Sequence, residues 1–273
     1  MGMPWRLIDS PAAPAARNMA VDEAILVAVS RGEAPPTLRL YAWDPPAVSV
    51  GYFQRLDREV DREVCRQLGV QWVRRPTGGR AVLHEREITY SVVAPLEVLD
   101  GSVLTTYCEI SRGLVAGLRL LGVEAEIVPA ARSPRGLRSG ACFDAPSWYE
   151  VVVGGRKLVG SAQVRRDGAL LQHGSVLLEF NPRRVAAVLR LPPAARERLA
   201  RLLAAGATGL SEVLGRCPGE GEVRAALSRG FQEALGWDLE PGELTAGERE
   251  LVARLEEKYN SDAWNLARGE VNV

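Results

Sequence analysis

Residues 148–178 decide the fold, and they read WYEVVVGGRKLVGSAQVRRDGALLQHGSVLL. Gly154-Gly155 and Asp167-Gly168 are two-residue sequences of the kind that closes β-hairpins. Because apolar and β-branched residues flank both pairs, the segment predicts a three-strand meander over about Trp148–Val153, Arg156–Arg166 and Ala169–Leu178.

The register of this meander can be counted if both turns are tight: residue 152 then faces residue 157, and residue 174 faces residue 161. Strand side chains alternate between the two faces of a sheet. One face is therefore predicted to carry Lys157, Val159, Ser161 and Gln163, together with Val152, Gln172, Gly174 and Val176. The same count places His173 on the opposite face, beside Ala162, so we do not expect His173 to take part in catalysis. A β-bulge would reverse that assignment.

Small residues occupy the middle of the meander, namely Gly160, Ser161, Ala162 and Gly174. Strands with so little side-chain bulk leave their backbone open to a ligand. The pattern therefore predicts a groove over the sheet.

A cysteine precedes the meander in a stretch of turn-forming residues. Cys142 has Gly140, Asp144 and Pro146 close by in the sequence, which indicates a loop, and loops commonly carry catalytic residues. A thiol is a strong nucleophile only as the thiolate, and a nearby ammonium group favours that form. Cys142 and Lys157 are therefore candidates for a catalytic pair, while a buried structural cysteine and a solvated hairpin lysine remain open alternatives.

The remaining chain mixes strands and helices without strict β-α-β alternation. The patterns predict a first strand at Trp5–Ile8, helices at Asn18–Val29 and Asp57–Leu68, and a longer helix capped by Ser102. We therefore expect an α+β fold with a central mixed β-sheet flanked by helices. Residues 1–240 are predicted to form the catalytic domain, and residues 241–273 a helical segment packed on it.

Composition narrows the class of protein. The 34 basic and 34 acidic residues balance, which argues against general binding to nucleic acid. Arg132, Arg135 and Arg138 form a local basic group, either a solvated loop or a docking surface for an acidic partner. The four cysteines lack zinc-site spacing, and no segment has the roughly 20 apolar residues of a membrane span. We expect a cytoplasmic protein with no metal site, no cofactor and no contact with a membrane.

Several motifs, in the right order, carry a family resemblance. They are RRPTGGRAVLH at 74–84, TYSVV at 89–93, ACFDAPSWYE at 141–150, GRKLVGSAQ at 155–163 and LQHGS at 171–175. Together they resemble the biotin/lipoate protein ligase superfamily, and the stretch around Cys142 is similar to octanoyltransferases that load lipoyl domains in Gram-positive-type bacteria. No nucleophile-elbow, P-loop, Rossmann or zinc-protease motif is present.

The resemblance implies a fatty-acyl tunnel lined by the Arg75/Gly78/Gly79 loop and the strand Lys157–Gln163. It implies that Cys142 carries the acyl group and that Lys157 lowers its pKa. The residues that it implies in substrate binding are Arg75, Thr77, Gly78, Gly79, Arg80, Ala81, His84, Ser91, Gly160, Ser161, Ala162, Gln163 and Gly174. The adenylate-forming ligases commonly have three consecutive glycines where this chain has Gly78-Gly79-Arg80, so a nucleotide-binding role for the loop is less expected.

The predicted function is a protein N-octanoyltransferase of lipoate biosynthesis. Its donor would be octanoyl-acyl carrier protein, and its acceptor a lysine of a lipoyl domain, on glycine cleavage H protein or a dehydrogenase E2 subunit. Two enzymatic alternatives stay open: an ATP-dependent lipoate–protein ligase, and an amidotransferase that moves octanoyl between lipoyl domains. A non-catalytic lipoyl-domain-binding relative, whose thiol would titrate normally near pH 8.5, is a third.

Overall fold

The computed structural model describes residues 4–129 and 149–266. Its strands are β1 (Trp5–Asp9), β2 (Thr37–Tyr41), β3 (Ala47–Val50), β4 (Gln71–Arg74), β5 (Val82–His84), β6 (Glu87–Pro95), β7 (Glu126–Pro129), β8 (Tyr149–Val153), β9 (Arg156–Arg166), β10 (Ala169–Leu177) and β11 (Leu239–Pro241). Its helices are α1 (Ala15–Ser30), α2 (Leu56–Glu59), α3 (Arg62–Gln67), α4 (Val103–Leu120), α5 (Pro182–Ala187), α6 (Pro193–Gly206), α7 (Leu210–Leu214), α8 (Glu220–Leu235), α9 (Ala246–Asn260) and α10 (Asp262–Asn265).

Within these described ranges, eight strands form the main sheet, in the order β11-β1-β2-β6-β10-β9-β8-β7. Strand β1 pairs in parallel with β2 and β11. Every other neighbouring pair in this order, from β2 with β6 to β8 with β7, is antiparallel. A small sheet, β4-β3-β5, lies beside it. The prediction of a mixed sheet within an α+β fold is therefore confirmed.

Helices cover both faces of the main sheet, and neighbouring strand residues point into different cores. On β10, Leu170 packs in the core that contains Leu114 of α4 and Phe231 of α8. The next residue, Leu171, packs in the core that contains Ile25 of α1 and Val252 of α9. This alternation is the period-2 pattern of a strand buried on both sides. It separates an α4/α8 face from an α1/α9 face.

The three-strand meander is confirmed as β8, β9 and β10. Gly154 and Gly155 have φ of 54° and 74°, and Asp167 and Gly168 have φ of 52° and 80°, so both central residues of each turn are left-handed. This is the conformation that two-residue hairpin turns require. The predicted pairs of residue 152 with 157 and of residue 174 with 161 are also confirmed.

A β-bulge in β9 overturns the predicted face of the lysine. Val152 pairs with Lys157, but Val151 pairs with Val159, which leaves Leu158 as the extra residue. Directly paired residues share a face, and neighbours on one strand do not. Lys157 therefore lies opposite Val159, and the prediction that Lys157 shares a face with Val159, Ser161, Gln163, Gln172, Gly174 and Val176 was wrong. The lysine shares the α1/α9 face with Gly160, Ala162 and His173.

The helix expected over residues 57–68 is two short helices, α2 and α3. Val60 is extended, with φ −111° and ψ 132°, and forms a bridge with Leu189. The Asp61 amide donates to the Val188 carbonyl, and its side chain accepts from the Val64 amide and caps α3. Tertiary pairing with residues 188–190 outweighs local helix propensity at this point.

The segment after β11 packs against α1. Tyr259 of α9 donates its hydroxyl proton to Glu23 of α1 at 2.7 Å, and Lys258 donates to the same carboxylate oxygen at 2.7 Å. The proposed division at residue 240 stays a prediction. Across the described residues, no helix is both long enough and apolar enough to span a bilayer.

Candidate active site

A narrow cavity lies between the main sheet, the small sheet and α1. Its lining surrounds about 370 Å³ of empty space, a figure that includes space open to solvent. Its described lining is Met19, Tyr41, Trp43, Ser49, Arg75, Val82, His84, Thr89, Gly160, Ser161, Ala162, His173, Gly174 and Ser175. Aromatic, aliphatic and glycine surfaces alternate there with a few polar groups, which suits an apolar ligand that carries one reactive polar end.

Lys157 is buried on the same face of the sheet and is paired with Glu150 of β8. The ammonium donates to Glu150 Oε1 at 2.9 Å, and both side chains are less than 7% exposed. Val152 faces Lys157 directly, so Glu150 is its diagonal neighbour across the two strands. Removal of one partner of such a pair leaves an uncompensated buried charge. Glu150 therefore fixes the position of the lysine.

His173 forms the middle of a buried chain of polar groups. Its Nδ1 lies 3.1 Å from Asp22 Oδ2, and its Nε2 lies 2.7 Å from Thr77 Oγ1. Asp22 also accepts hydrogen bonds from Arg39 at 2.7 Å and Tyr41 at 2.8 Å.

The electrostatics of this chain favour an ionised Asp22 and a neutral His173. Burial alone would raise the pKa of Asp22, but the hydrogen bond from His173 and the charge of Arg39 outweigh it and lower that pKa. Burial lowers the pKa of His173, and its bond to Asp22 offsets this only in part. The neutral imidazole can therefore accept a hydrogen bond from the Thr77 hydroxyl through Nε2.

His84 forms a second chain of the same kind on the small-sheet side of the cavity. Its Nδ1 lies 2.8 Å from Glu87 Oε1, and its Nε2 lies 2.8 Å from Ser49 Oγ. The Trp43 ring stacks on the imidazole, with centroids 4.0 Å apart. Ser175 also donates to Glu87 Oε1, at 2.8 Å, while the buried Oε2 of Glu87 has no hydrogen-bond partner among the described residues.

The loop from Arg75 to Arg80 borders the cavity and is held from inside by Arg75. The guanidinium donates through Nη2 to the carbonyls of Gly78 at 2.7 Å and Arg80 at 2.8 Å. Gly79 has φ of 92°, and a Cβ on Gly51 would lie 2.0 Å from the Gly79 carbonyl oxygen. The loop therefore needs glycine at both places, one for its backbone conformation and one for close approach.

The residues predicted for the site lie partly at the cavity and partly away from it. Six of them line the cavity: Arg75, His84, Gly160, Ser161, Ala162 and Gly174. Thr77, Gly78, Gly79, Arg80 and Ala81 form the neighbouring loop, and buried Ser91 donates to Asp22 at 2.9 Å. Gln163 lies on the α4/α8 face, where its amide donates to Thr106 and Gln172, each at 3.1 Å. Cys142 and the Arg132/Arg135/Arg138 group lie outside the described residues.

Sequence reasoning missed three residues of this region: Glu150, Asp22 and His173. Glu150 lies two residues from Val152, the predicted partner of Lys157, so the predicted register already put it on the lysine's face, but no motif marked it as part of the site. Asp22 is a buried carboxylate inside an apolar helix, which is unusual enough to have served as a signal. The two histidines of the chain, both at this cavity, were the other available signal. Across residues 4–129 and 149–266, no cluster of His, Cys, Asp and Glu is suited to a metal ion.

Comparison with protein families tests the resemblance. The lipoyl protein ligase A/B catalytic domain matches residues 14–232. The chain belongs to this family. The octanoyltransferase LipM of Kyrpidia tusciae is 53% identical over 271 residues, which cover 97% of this chain and 99% of that protein. The octanoyltransferase LipM of Bacillus subtilis is 42% identical over 273 residues, or 97% and 98% of the two chains. The resemblance to octanoyltransferases is confirmed, as is the expectation of an acyltransferase.

Solved structures agree with this assignment. A bi-partite lipoate protein ligase from Thermoplasma acidophilum superposes with a TM-score of 0.80 at 29% identity, over 99% of each chain. A lipoate-protein ligase A bound with ATP superposes with a TM-score of 0.78 at 29% identity, over 97% of this chain and 99% of that one. The predicted ligase-like catalytic fold is therefore confirmed.

Proposed function

We propose that this protein transfers an octanoyl group from acyl carrier protein, through a thioester on Cys142, to a lysine of a lipoyl domain. The observation that carries the proposal is the near full-length similarity to octanoyltransferases, at 53% and 50% identity in two cases. A narrow cavity and a buried lysine–carboxylate pair on the same face of the sheet support it.

In the first half-reaction, the Cys142 thiolate attacks the carbonyl carbon of the donor thioester. A carbon–sulfur bond to Cys142 forms, and the bond to the phosphopantetheine sulfur breaks. The proton that Cys142 gives up passes by way of Lys157 to the leaving sulfur, so the carrier protein departs with a free thiol. The thioester is exchanged for another of similar energy, and no ATP is consumed.

In the second half-reaction, the acceptor lysine attacks the Cys142 thioester as a neutral amine. An amide bond forms, the bond to the Cys142 sulfur breaks, and the proton lost by the amine returns to that sulfur through Lys157. Conversion of a thioester into an amide is downhill, which drives the whole transfer. Glu150 supports both steps because it holds the Lys157 amine at a fixed position on the cavity face.

The cavity gives a physical basis for the choice of acyl chain. Burial of seven methylene and methyl units at about 0.8 kcal/mol each sets an upper limit near 5–6 kcal/mol for the chain. One unit more or fewer changes discrimination by only about 1–3 kcal/mol. We therefore expect selectivity for eight carbons that decreases gradually for neighbouring lengths.

The second candidate function is an ATP-dependent lipoate–protein ligase, which the similarity to an ATP-bound ligase structure favours. The purified protein should be incubated with a lipoyl domain and octanoyl-acyl carrier protein, or with the domain, free octanoate or lipoate, and ATP. We expect modification in the first reaction only. Modification that requires ATP, releases pyrophosphate and persists in Cys142→Ala would contradict the proposal and support the ligase.

The donor distinguishes the third candidate, transfer between lipoyl domains. A third reaction, with an octanoylated lipoyl domain as the only donor, should be at least tenfold slower than the carrier-protein reaction. Reversal of charge at Arg132, Arg135 and Arg138 should raise KM for the carrier protein and weaken its dependence on salt. If neither changes, the proposed docking surface is wrong. The cytoplasmic location remains a prediction.

A further inference from the structure

Both histidines of the chain occupy the same kind of position: each lies between a buried carboxylate and a buried hydroxyl. His173 connects Asp22 with Thr77, and His84 connects Glu87 with Ser49, all at 2.7–3.1 Å. One chain joins α1 and β10 to Thr77, and the other joins β6 to the small sheet. Both carboxylates accept further hydrogen bonds, Asp22 from Arg39 and Tyr41 and Glu87 from Thr89 and Ser175, so both are fixed.

The direction of the hydrogen bonds follows from the chemistry of the partners. A carboxylate only accepts, so Nδ1 of each histidine carries the proton that faces it. Nε2 of the neutral His173 ring is left as an acceptor, so the Thr77 hydroxyl donates to it. Ser49 Oγ lies 2.8 Å from Nε2 of His84 and accepts from Arg75 Nη1 at 3.0 Å.

Each chain ends on the Arg75–Arg80 loop. Thr77 belongs to the loop, and Ser49 binds the guanidinium of Arg75, which in turn binds the carbonyls of Gly78 and Arg80. The loop is thus tied at two points, once to the main sheet and α1, and once to the small sheet. Both Thr77 and Ser49 are buried, which makes the loss of either hydrogen bond costly.

We propose that His84 and His173 are positioning residues that hold the Arg75–Arg80 loop against the acyl cavity through Ser49 and Thr77. The link to acyl transfer rests on the function proposed above. The histidines act through the loop and not on the acyl group, so their loss loosens the binding of the donor and leaves the chemical step at Cys142 and Lys157 largely intact.

The test compares the wild type with Thr77→Val, Thr77→Ser and Ser49→Ala. Thr77→Val keeps the shape of the side chain and removes the hydroxyl, whereas Thr77→Ser keeps the hydroxyl. Thr106→Val is the matched control, because Thr106 is also buried and hydrogen-bonded but lies on the α4/α8 face. Hydrogen exchange is measured for the amides of residues 75–81, and kcat and KM are measured with octanoyl-acyl carrier protein.

We expect Thr77→Val and Ser49→Ala to speed exchange in the loop about tenfold and to raise KM by a similar factor, with kcat changed less than threefold. Thr77→Ser, which keeps the hydroxyl, should recover most of the loop protection lost in Thr77→Val, and Thr106→Val should leave loop exchange unchanged. The proposal would be overturned if the loop exchanged no faster in Thr77→Val and Ser49→Ala than in Thr106→Val. The two variants break different hydrogen-bonded connections to the loop, so the test still works if one of them fails to fold. Loop exchange requires no substrate, so a wild type without octanoyl transfer would refute the proposed function and not the positioning role.

Discussion

The buried pair of Lys157 and Glu150 allows stability and catalysis to be separated by mutation. Glu150→Gln removes the negative charge and keeps the shape of the side chain, so it leaves the lysine with no counter-charge from that position. Lys157→Met removes the positive charge and leaves the carboxylate behind. The double variant Lys157→Met/Glu150→Leu removes both charges and fills the same space with apolar groups.

The size of each effect follows from burial. Both side chains are less than 7% exposed and their charged atoms lie 2.9 Å apart, so solvent screens the pair very little. Breaking one partner of a pair of this kind costs about 3–5 kcal/mol, while replacing both by apolar residues is close to neutral. Each single variant should therefore lose about 3–5 kcal/mol of unfolding free energy, and the double variant should recover most of it.

Urea unfolding, followed by circular dichroism, measures the stability of the four proteins, and octanoyl transfer to a lipoyl domain measures their activity. The double variant should be folded and nearly inactive, since the amine is missing from the cavity face. Glu150→Gln should keep residual activity, because the amine remains but is less well fixed.

Two results would refute this reasoning. A loss of less than about 1 kcal/mol in both single variants would mean that the pair behaves as an exposed one. Transfer by the stable double variant at the rate of the wild type would mean that Lys157 takes no part in the reaction.

Four further predictions concern the cavity and its surroundings. Ala162→Leu narrows the cavity, so the ratio of kcat/KM for octanoyl over hexanoyl donors should fall at least about tenfold in a competition assay; an unchanged ratio would place the acyl chain elsewhere. Gly174→Ala puts a Cβ 2.4 Å from a neighbouring backbone oxygen, so urea unfolding should show a loss of about 1–3 kcal/mol in unfolding free energy. Gly221→Ala has open space around it and should lose none. Equal losses in the two variants would contradict the packing described. Because the pKa of His173 is lowered in the folded protein, the unfolded chain binds the proton first as pH falls. The free energy of unfolding should therefore be level above about pH 6.5 and decline below it by up to about 1.4 kcal/mol per pH unit. His173→Gln should remove that slope, and an unchanged slope would assign it to another group. Burial raises the pKa of Cys65 to about 11, so iodoacetamide at pH 7.5 should leave it unmodified in the native protein, as peptide mass spectrometry would show; rapid labelling would mean that the thiol is accessible.

The fold was predictable where local chemistry has few solutions. Gly154-Gly155 and Asp167-Gly168 can both adopt positive φ, which a two-residue hairpin turn needs, so they were sufficient for the meander and its first pairs. The split between α2 and α3 was not predictable in this way. It depends on pairing between Val60 and Leu189, residues far apart in the sequence.

The sequence indicated which residues form the site better than it indicated how their side chains are arranged. The glycine loop and the small residues of β9 and β10 indicated where a ligand could approach the backbone, and several of them line the cavity. The bulge at Leu158 reversed the face of Lys157 because one extra residue changes the alternation of a strand, and no residue type near it requires a bulge. The placement of Glu150 does not depend on the bulge, because it lies two residues from Val152, which pairs with Lys157; the ion pair itself became visible only in the structure.

Intact-mass spectrometry after mixing with octanoyl-acyl carrier protein, with no acceptor present, tests the central claim most directly. The account predicts that the wild type gains the mass of one octanoyl group, that hydroxylamine removes it, that Cys142→Ala never gains it, and that Lys157→Met gains it far more slowly. A wild type that stays unmodified while it still transfers octanoyl to a lipoyl domain, or a Cys142→Ala variant that becomes acylated, would contradict the account.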